Sequence, residues 1–270
     1  MSEVDLLEDL SRRFPLPEGG GICWRCLQTF PSIPEAGGLC HVCGRIAAEG
    51  SALLAGREET VRAELRKAGL GARELAAEMA RIPEAIRRRL PAGATRAMLR
   101  GVQPEAGFGL AGTPGIGKTM ALAALIAEHG RVRLDRIAAA GEFRRARGWL
   151  AWAPWKAVTE RIRALSTQDG GHEKADRLIE EYCRAEILVI DDLGAERLRG
   201  SYAEDWATSQ LDRIVDERDR EMRPLWYTTN LGGAALLERY GSRLWSRLCE
   251  LAPLVELAAG ADLRVRRNSP

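Results

Sequence analysis

The run GTPGIGKT, residues 112–119, constrains this chain more than any other segment. It fits G-x-x-x-x-G-K-[ST] in full, the pattern of a loop that turns its backbone N–H groups around phosphate. Each residue type has a reason. Glycines reach φ values that a Cβ disfavours, so the amides can point inward. The helix that must follow aims the positive end of its dipole at the same anion. Lys118 adds a point charge for the β and γ phosphates, and Thr119 a hydroxyl for Mg²⁺. The motif requires a strand before it and a helix after it. Apolar FGLA, residues 108–111, precedes the loop and the helix-forming run TMALAALIAEHG closes it. The expected ATP-contacting residues are therefore Gly112, Thr113, Pro114, Gly115, Ile116, Gly117, Lys118, Thr119 and Met120.

A loop of this kind also needs a carboxylate to organise Mg²⁺, at the tip of a neighbouring buried strand. ILVIDDLG, residues 187–194, is a compact apolar run that ends in two. Asp191 is expected to hold the metal together with Thr119, and Asp192 to polarise the attacking water. Asp192 has one methylene fewer than glutamate, so its reach as a general base is shorter. An Asp-Asp pair is also what a plain turn after a strand looks like; the complete phosphate loop upstream favours the metal role.

Two further segments carry candidates. LWYTTN, residues 225–230, places Asn230 where a strand would reach the γ-phosphate. An amide there can orient water, since it accepts and donates at once, or it can cap the next helix. In YGSRLWSRL, residues 240–248, Arg243 and Arg247 lie one helical turn apart. Guanidinium is planar and always charged, as a developing phosphoryl charge requires. The plainer reading is a solvated amphipathic helix with Leu244 and Leu248 inward.

Apolar runs at residues 108–111, 149–152, 187–190 and 225–228 read as strands, and Ala207, Leu211, Ile214 and Val215 mark one face of a helix. Strands alternating with helices imply an α/β fold with a parallel sheet covered on both faces. Ahead of this core, residues 1–20 are an acidic segment closing in a Pro/Gly break. Residues 21–46 hold a cysteine cluster. Residues 47–100 read as a linker of short helices, with Leu54, Val61 and Leu65 on one face of the first, and residues 101–270 as the nucleotide-binding domain. The Arg-rich stretch 131–147 is either a helical insertion or a surface loop. Trp149, Trp152 and Trp155 read as core, with contact to single-stranded DNA as the alternative.

CWRC, Cys23 to Cys26, and CHVCG, which opens with Cys40 and Cys43, are two C-x-x-C pairs separated by thirteen residues. Four thiolates so spaced close a tetrahedral structural Zn²⁺ site, with Cys23, Cys26, Cys40 and Cys43 as ligands. Metal would supply the folding energy that so short a segment lacks. Trp24, Arg25, Phe30 and Arg45 make nucleic acid one docking partner for such a module and a protein the other. Forty basic against 38 acidic residues exclude a polyanion-binding chain by bulk charge. No apolar run approaches the length of a membrane span, and no signal peptide is legible, so a cytoplasmic location is expected.

The order of phosphate loop, IDDLG strand end, TTN strand end and SRLWSRL helix resembles the DnaC/IstB branch of the AAA+ ATPases, over about residues 105–267 including ADLRVRR. The resemblance implies slow ATP hydrolysis with ATP and Mg²⁺ as cofactors. It implies Asn230 as a polar sensor of the γ-phosphate, and Arg247, with Arg243 beside it, as an arginine finger reaching a neighbouring subunit. The lid domain of typical AAA+ proteins has no room after Arg247, and a sensor role for Arg264, Arg266 or Arg267 stays open. The implied function is to load a ring-shaped replicative helicase onto single-stranded DNA. A transposase helper acting on target duplex is the alternative. A zinc-anchored nucleotide-binding scaffold without hydrolysis is an alternative of another class.

Overall fold

A five-stranded, all-parallel sheet in the order β4-β5-β6-β3-β7 carries the larger part of the chain. The computed structural model describes residues 21–22, 29–30, 41–168, 170–196 and 201–257. The strands are β3 (Phe108–Ala111), β4 (Leu150–Pro154), β5 (Ile187–Leu193), β6 (Leu225–Thr229) and β7 (Leu254–Glu256). Every residue of β3 and β6 is buried, as strands covered on both faces require. The α/β class, with helices over a parallel sheet, is the one the alternation of apolar runs implied.

By contact the described residues fall into two units: those up to 56 with 135–143, and 57–134 with those from 144 onward. In the first, β1 (Gly21–Ile22) pairs antiparallel with β2 (Thr29–Phe30). Residues 23–28, which join them in sequence, include Cys23 and Cys26 and lie outside the described residues, as do Cys40, residues 1–20 and the closing arginines Arg264, Arg266 and Arg267. Helix α1 (His41–Ala55) follows, with Cys43 buried in its first turn. The expectation that Leu54 shares a helix face with Val61 and Leu65 does not hold. A helical turn ends at Gly56, Leu54 is 44% exposed at the end of α1, and Val61 and Leu65 are buried on α2 (Arg57–Lys67). Glycine there interrupts what side-chain periodicity alone runs together.

In the second unit, short helices α3 (Ala72–Leu75), α4 (Glu84–Arg87) and α5 (Ala92–Leu99) lead to β3. Helix α6 (Lys118–Ala140) leaves the phosphate loop, and its run Ala121 to Ala127 is buried all round, the mark of an interior helix. Residues 131–147, left between two readings by the sequence, continue α6 to Ala140 and then form a 3₁₀ turn at Phe143–Ala146. Helix α7 (Trp155–Ser166) and α8 (Gly171–Arg184) lie between β4 and β5; Ala175, Ile179, Tyr182 and Cys183 make the buried stripe of α8. Helix α9 (Ser201–Arg220) buries Ala207, Leu211, Ile214 and Val215 as their spacing implied. Helix α10 (Gly233–Leu251) breaks at Gly241, where φ is 78° and ψ 162°.

Trp149, Trp152 and Trp155 are 2%, 5% and 0% exposed, so they are core, and the alternative of DNA contact is withdrawn for them. Among the described residues no helix is long and apolar enough to cross a membrane.

Close backbone packing sets the centre of the sheet. Gly109 on β3 pairs with Tyr227 on β6, and a Cβ at Gly109 would lie 2.0 Å from the Tyr227 ring. Buried Arg218 joins the far ends of the strands: its guanidinium donates to the carbonyls of Tyr182, Cys183 and Ala185 at the end of α8, and to Pro224 before β6. One side chain thereby satisfies helix-end carbonyls that have no partner within the helix.

Candidate nucleotide site

The loop from 112 to 117 connects the C-terminal end of β3 to the first residue of α6. Gly115 and Gly117 have φ of 85° and 103°, values at which an L side chain is strained, so the loop can close only with glycine there. Lys118 is 6% exposed. Its ammonium donates to Gly112 O at 2.7 Å, to Thr113 O at 3.0 Å and to Asn230 Oδ1 at 2.8 Å. The amine is thus folded over the loop that surrounds the expected phosphates. Thr119 and Met120 follow in the first turn of α6, where amides without helical partners face the loop.

Strand β6 lies between β3 and β5, so the acidic strand is not the phosphate loop's immediate neighbour, as the sequence reading had it. The bridge is a residue that reading passed over. Thr228 donates its hydroxyl to Asp191 Oδ1 at 2.6 Å and accepts from the Asp192 N–H at 2.9 Å, while Thr119 donates to the same Asp191 oxygen at 3.0 Å. A pair of hydroxyl residues at the end of an apolar, buried strand was the available signal. The next one, Thr229, donates to Leu193 O at 2.7 Å and ties the two strand ends together.

Consecutive strand residues normally leave on opposite faces. Here the β5–β6 register slips between Ile190 and Leu193, and Asp192 takes a left-handed φ of 57°. This bulge lets Asp191 meet Thr119 while Asp192 meets Asn230, whose amide nitrogen donates to Asp192 Oδ1 at 3.2 Å. Asn230 does not cap α10, whose N-cap is Gly232. Instead it accepts from Lys118 and donates to Asp192, joining the two halves of the site.

Burial raises the pKa of Asp191, the bonds from Thr228 and Thr119 oppose that rise, and the charges of Asp192 and Glu74 add to it. A half-buried carboxylate in contact with two hydroxyls presents the oxygen donors that a hard divalent cation takes.

Arg243 and Arg247 lie beyond the Gly241 break and pair with α9. Arg247 forms a close ion pair with Asp216, and Arg243 reaches the other oxygen of Asp216 at 3.1 Å and Asp212 at 3.8 Å. Leu244 and Leu248 are buried, as the amphipathic reading had them. Among the described residues no group of three or more His, Cys, Asp and Glu side chains could hold a metal ion. Three of the four clustered cysteines stand outside those residues.

No family model and no curated protein matches the sequence. Solved structures do. The DnaC helicase loader aligns over 69% of this chain and 99% of its own, with TM-score 0.53 and 22% identity. A protein assigned as a primosome component from Streptococcus pyogenes serotype M3 aligns over 71% of this chain and 91% of its own, with TM-score 0.51 and 18% identity. The helix-covered parallel sheet matches the fold of the DnaC helicase loader. At these identities the likeness carries the fold alone.

Proposed function

We propose that this chain is an ATP-binding and ATP-hydrolysing DNA replication protein that loads a ring-shaped replicative helicase onto single-stranded DNA. One observation carries the ATPase reading: Asn230 links Lys118 of the phosphate loop to Asp192, beside an Asp191 already in contact with Thr119. Three segments distant in sequence meet in the arrangement that phosphoryl transfer uses. Residues Gly112 to Met120 would hold the triphosphate, and Thr119 with Asp191 would hold Mg²⁺. The metal, when bound, neutralises phosphate charge. Lys118 contributes its ammonium to the same phosphates. Asp192, aligned by the Asn230 amide, accepts a proton from the attacking water at Oδ1.

The helicase partner is supported by the fold shared with the DnaC helicase loader. Arg247 and Arg243 would act on the nucleotide of a neighbouring subunit, exchanging Asp216 for phosphate. A Zn²⁺ site of Cys23, Cys26, Cys40 and Cys43 rests on the spacing of the two C-x-x-C pairs in the sequence. Metal content of the purified protein near one zinc per chain, lost when Cys23 and Cys26 are replaced by Ser, is the expected result.

Phosphate release from MgATP, with and without single-stranded or duplex DNA, tests the whole reading. Turnover raised by single strands is expected. Stimulation by duplex alone would turn the assignment to a transposition helper, and nucleotide binding with no release to a scaffold.

A further inference from the structure

The turn that bears Asp192 is anchored by buried charge. The Glu196 side chain is 2% exposed and that of Arg239 17%. Glu196 Oε1 accepts from Arg239 Nε at 3.1 Å, from Arg239 Nη2 at 3.0 Å and from the Tyr240 hydroxyl at 2.7 Å. Its other oxygen accepts from the Gly194 N–H at 3.0 Å, and Arg239 Nη2 also donates to the Glu196 carbonyl at 2.9 Å. Burial and the adjacent carboxylate both push the Tyr240 phenol upward, so it stays a donor.

Stability alone is a poor account of such a pair, because well-packed apolar side chains often do as well as a buried ion pair. Its effect on geometry is specific. Glu196 holds Gly194, which sits at φ 91° with Leu231 so close that a Cβ would lie 2.5 Å from Leu231 Cδ1. The Ala195 N–H donates to Asp192 O at 3.0 Å, and Thr229 holds Leu193 O. Each residue from Asp192 to Glu196 is thereby held. At the other end, Arg239 and Tyr240 immediately precede the Gly241 break, after which α10 carries Arg243 and Arg247.

We propose that Glu196 is a positioning residue for hydrolysis: clamped by Arg239 and Tyr240, it fixes the turn that bears Asp192 and makes its alignment depend on the helix that presents Arg243 and Arg247. The proposal rests on the ATPase reading above. It makes turnover answer to engagement of that helix by a neighbouring subunit, through residues that touch no nucleotide.

The test uses the full chain with MgATP and oligo(dT). Glu196→Gln keeps the side chain's shape and removes its charge. Its nucleotide Kd is expected to stay within about twofold of the parent while kcat falls about tenfold or more, the split expected when an interaction acts on the chemical step. In an Asp192→Asn background the same substitution is expected to add no further loss, because residues acting as one unit are not additive. Amide exchange at Gly194 should quicken. If Glu196→Gln fails to fold, Arg239→Lys, which keeps charge but loses the fork, is expected to give the same split. Parental kcat, a parallel loss of Kd and kcat, or full additivity with Asp192→Asn overturns the proposal and leaves the ATPase reading intact. A parent chain without turnover, or Lys118→Ala with normal ATP affinity, overturns both.

Discussion

Lys118 and Asn230 meet at 2.8 Å across 112 positions of sequence. The contact joins the phosphate loop to the end of β6, the strand paired with β3, and the same amide continues to Asp192. A charged donor with three oxygen partners is well organised, and removing it costs more than a neutral hydrogen bond would.

Lys118→Ala is therefore expected to weaken ATP binding by roughly 10- to 100-fold, the range for hydrogen bonds to charged groups. Fluorescent-nucleotide titration reads this directly.

Asn230→Ala is expected to leave ATP affinity near that of the parent and to lower kcat by about 10²-fold, the usual cost of removing one preorganised donor at a reacting centre. Single-turnover phosphate release checks it. Equal losses in affinity and kcat would reduce Asn230 to a binding residue.

Arg247→Ala is expected to lower turnover by about 10³-fold, the lower end for a finger residue, with ATP affinity retained. The finger and the phosphate loop would lie on different subunits. Mixing Arg247→Ala with Lys118→Ala should then restore part of the turnover that each lacks. No recovery on mixing would confine Arg247 to its contact with Asp216.

His129 is 1% exposed, with Nδ1 against Met98 O at 3.0 Å. Burial is the main cause that pushes its pKa from 6.5 down to about 4. Between those values the unfolded chain takes up a proton that the folded chain refuses. The stability it contributes is whole above pH 6.5 and is lost as pH falls toward 4. The expected contribution is about 3 kcal/mol at most. Denaturant titrations at pH 7 and 4.5 should show a smaller drop for His129→Gln than for the parent.

Arg218→Met should destabilise the fold by about 3 kcal/mol or more, since it strands several buried carbonyls at once. Burial lowers the Arg218 pKa to about 9, which still leaves it charged at neutral pH. Urea unfolding reads the change, and ATP affinity extrapolated to zero denaturant should not follow it.

Much of the core was legible because its signals are local. Phe108–Ala111, the glycines of the loop and the Ala/Leu run of α6 spell out a strand, a turn and a buried helix in unbroken order. The buried face of α9 follows from spacing alone. What was misread turned on a break in a helix, and what was missed on partners distant in sequence. Leu54 and Val61 are periodic neighbours separated by a helix break. Glu196, Arg239 and Asp216 carry no signal in sequence, since nothing in their own segments records the partners that bury or pair them.

Sequence by itself determined the chemical groups of the candidate nucleotide site and the periods of the core strands and of α9, because both depend on residues within a few positions of one another. Only tertiary structure decided that β6 stands between β3 and β5, that Thr228 bridges to Asp191, and that a bulge delivers both aspartates to one site. Strand order and register arise from packing and hydrogen bonds between distant segments, and no local pattern of residues encodes them.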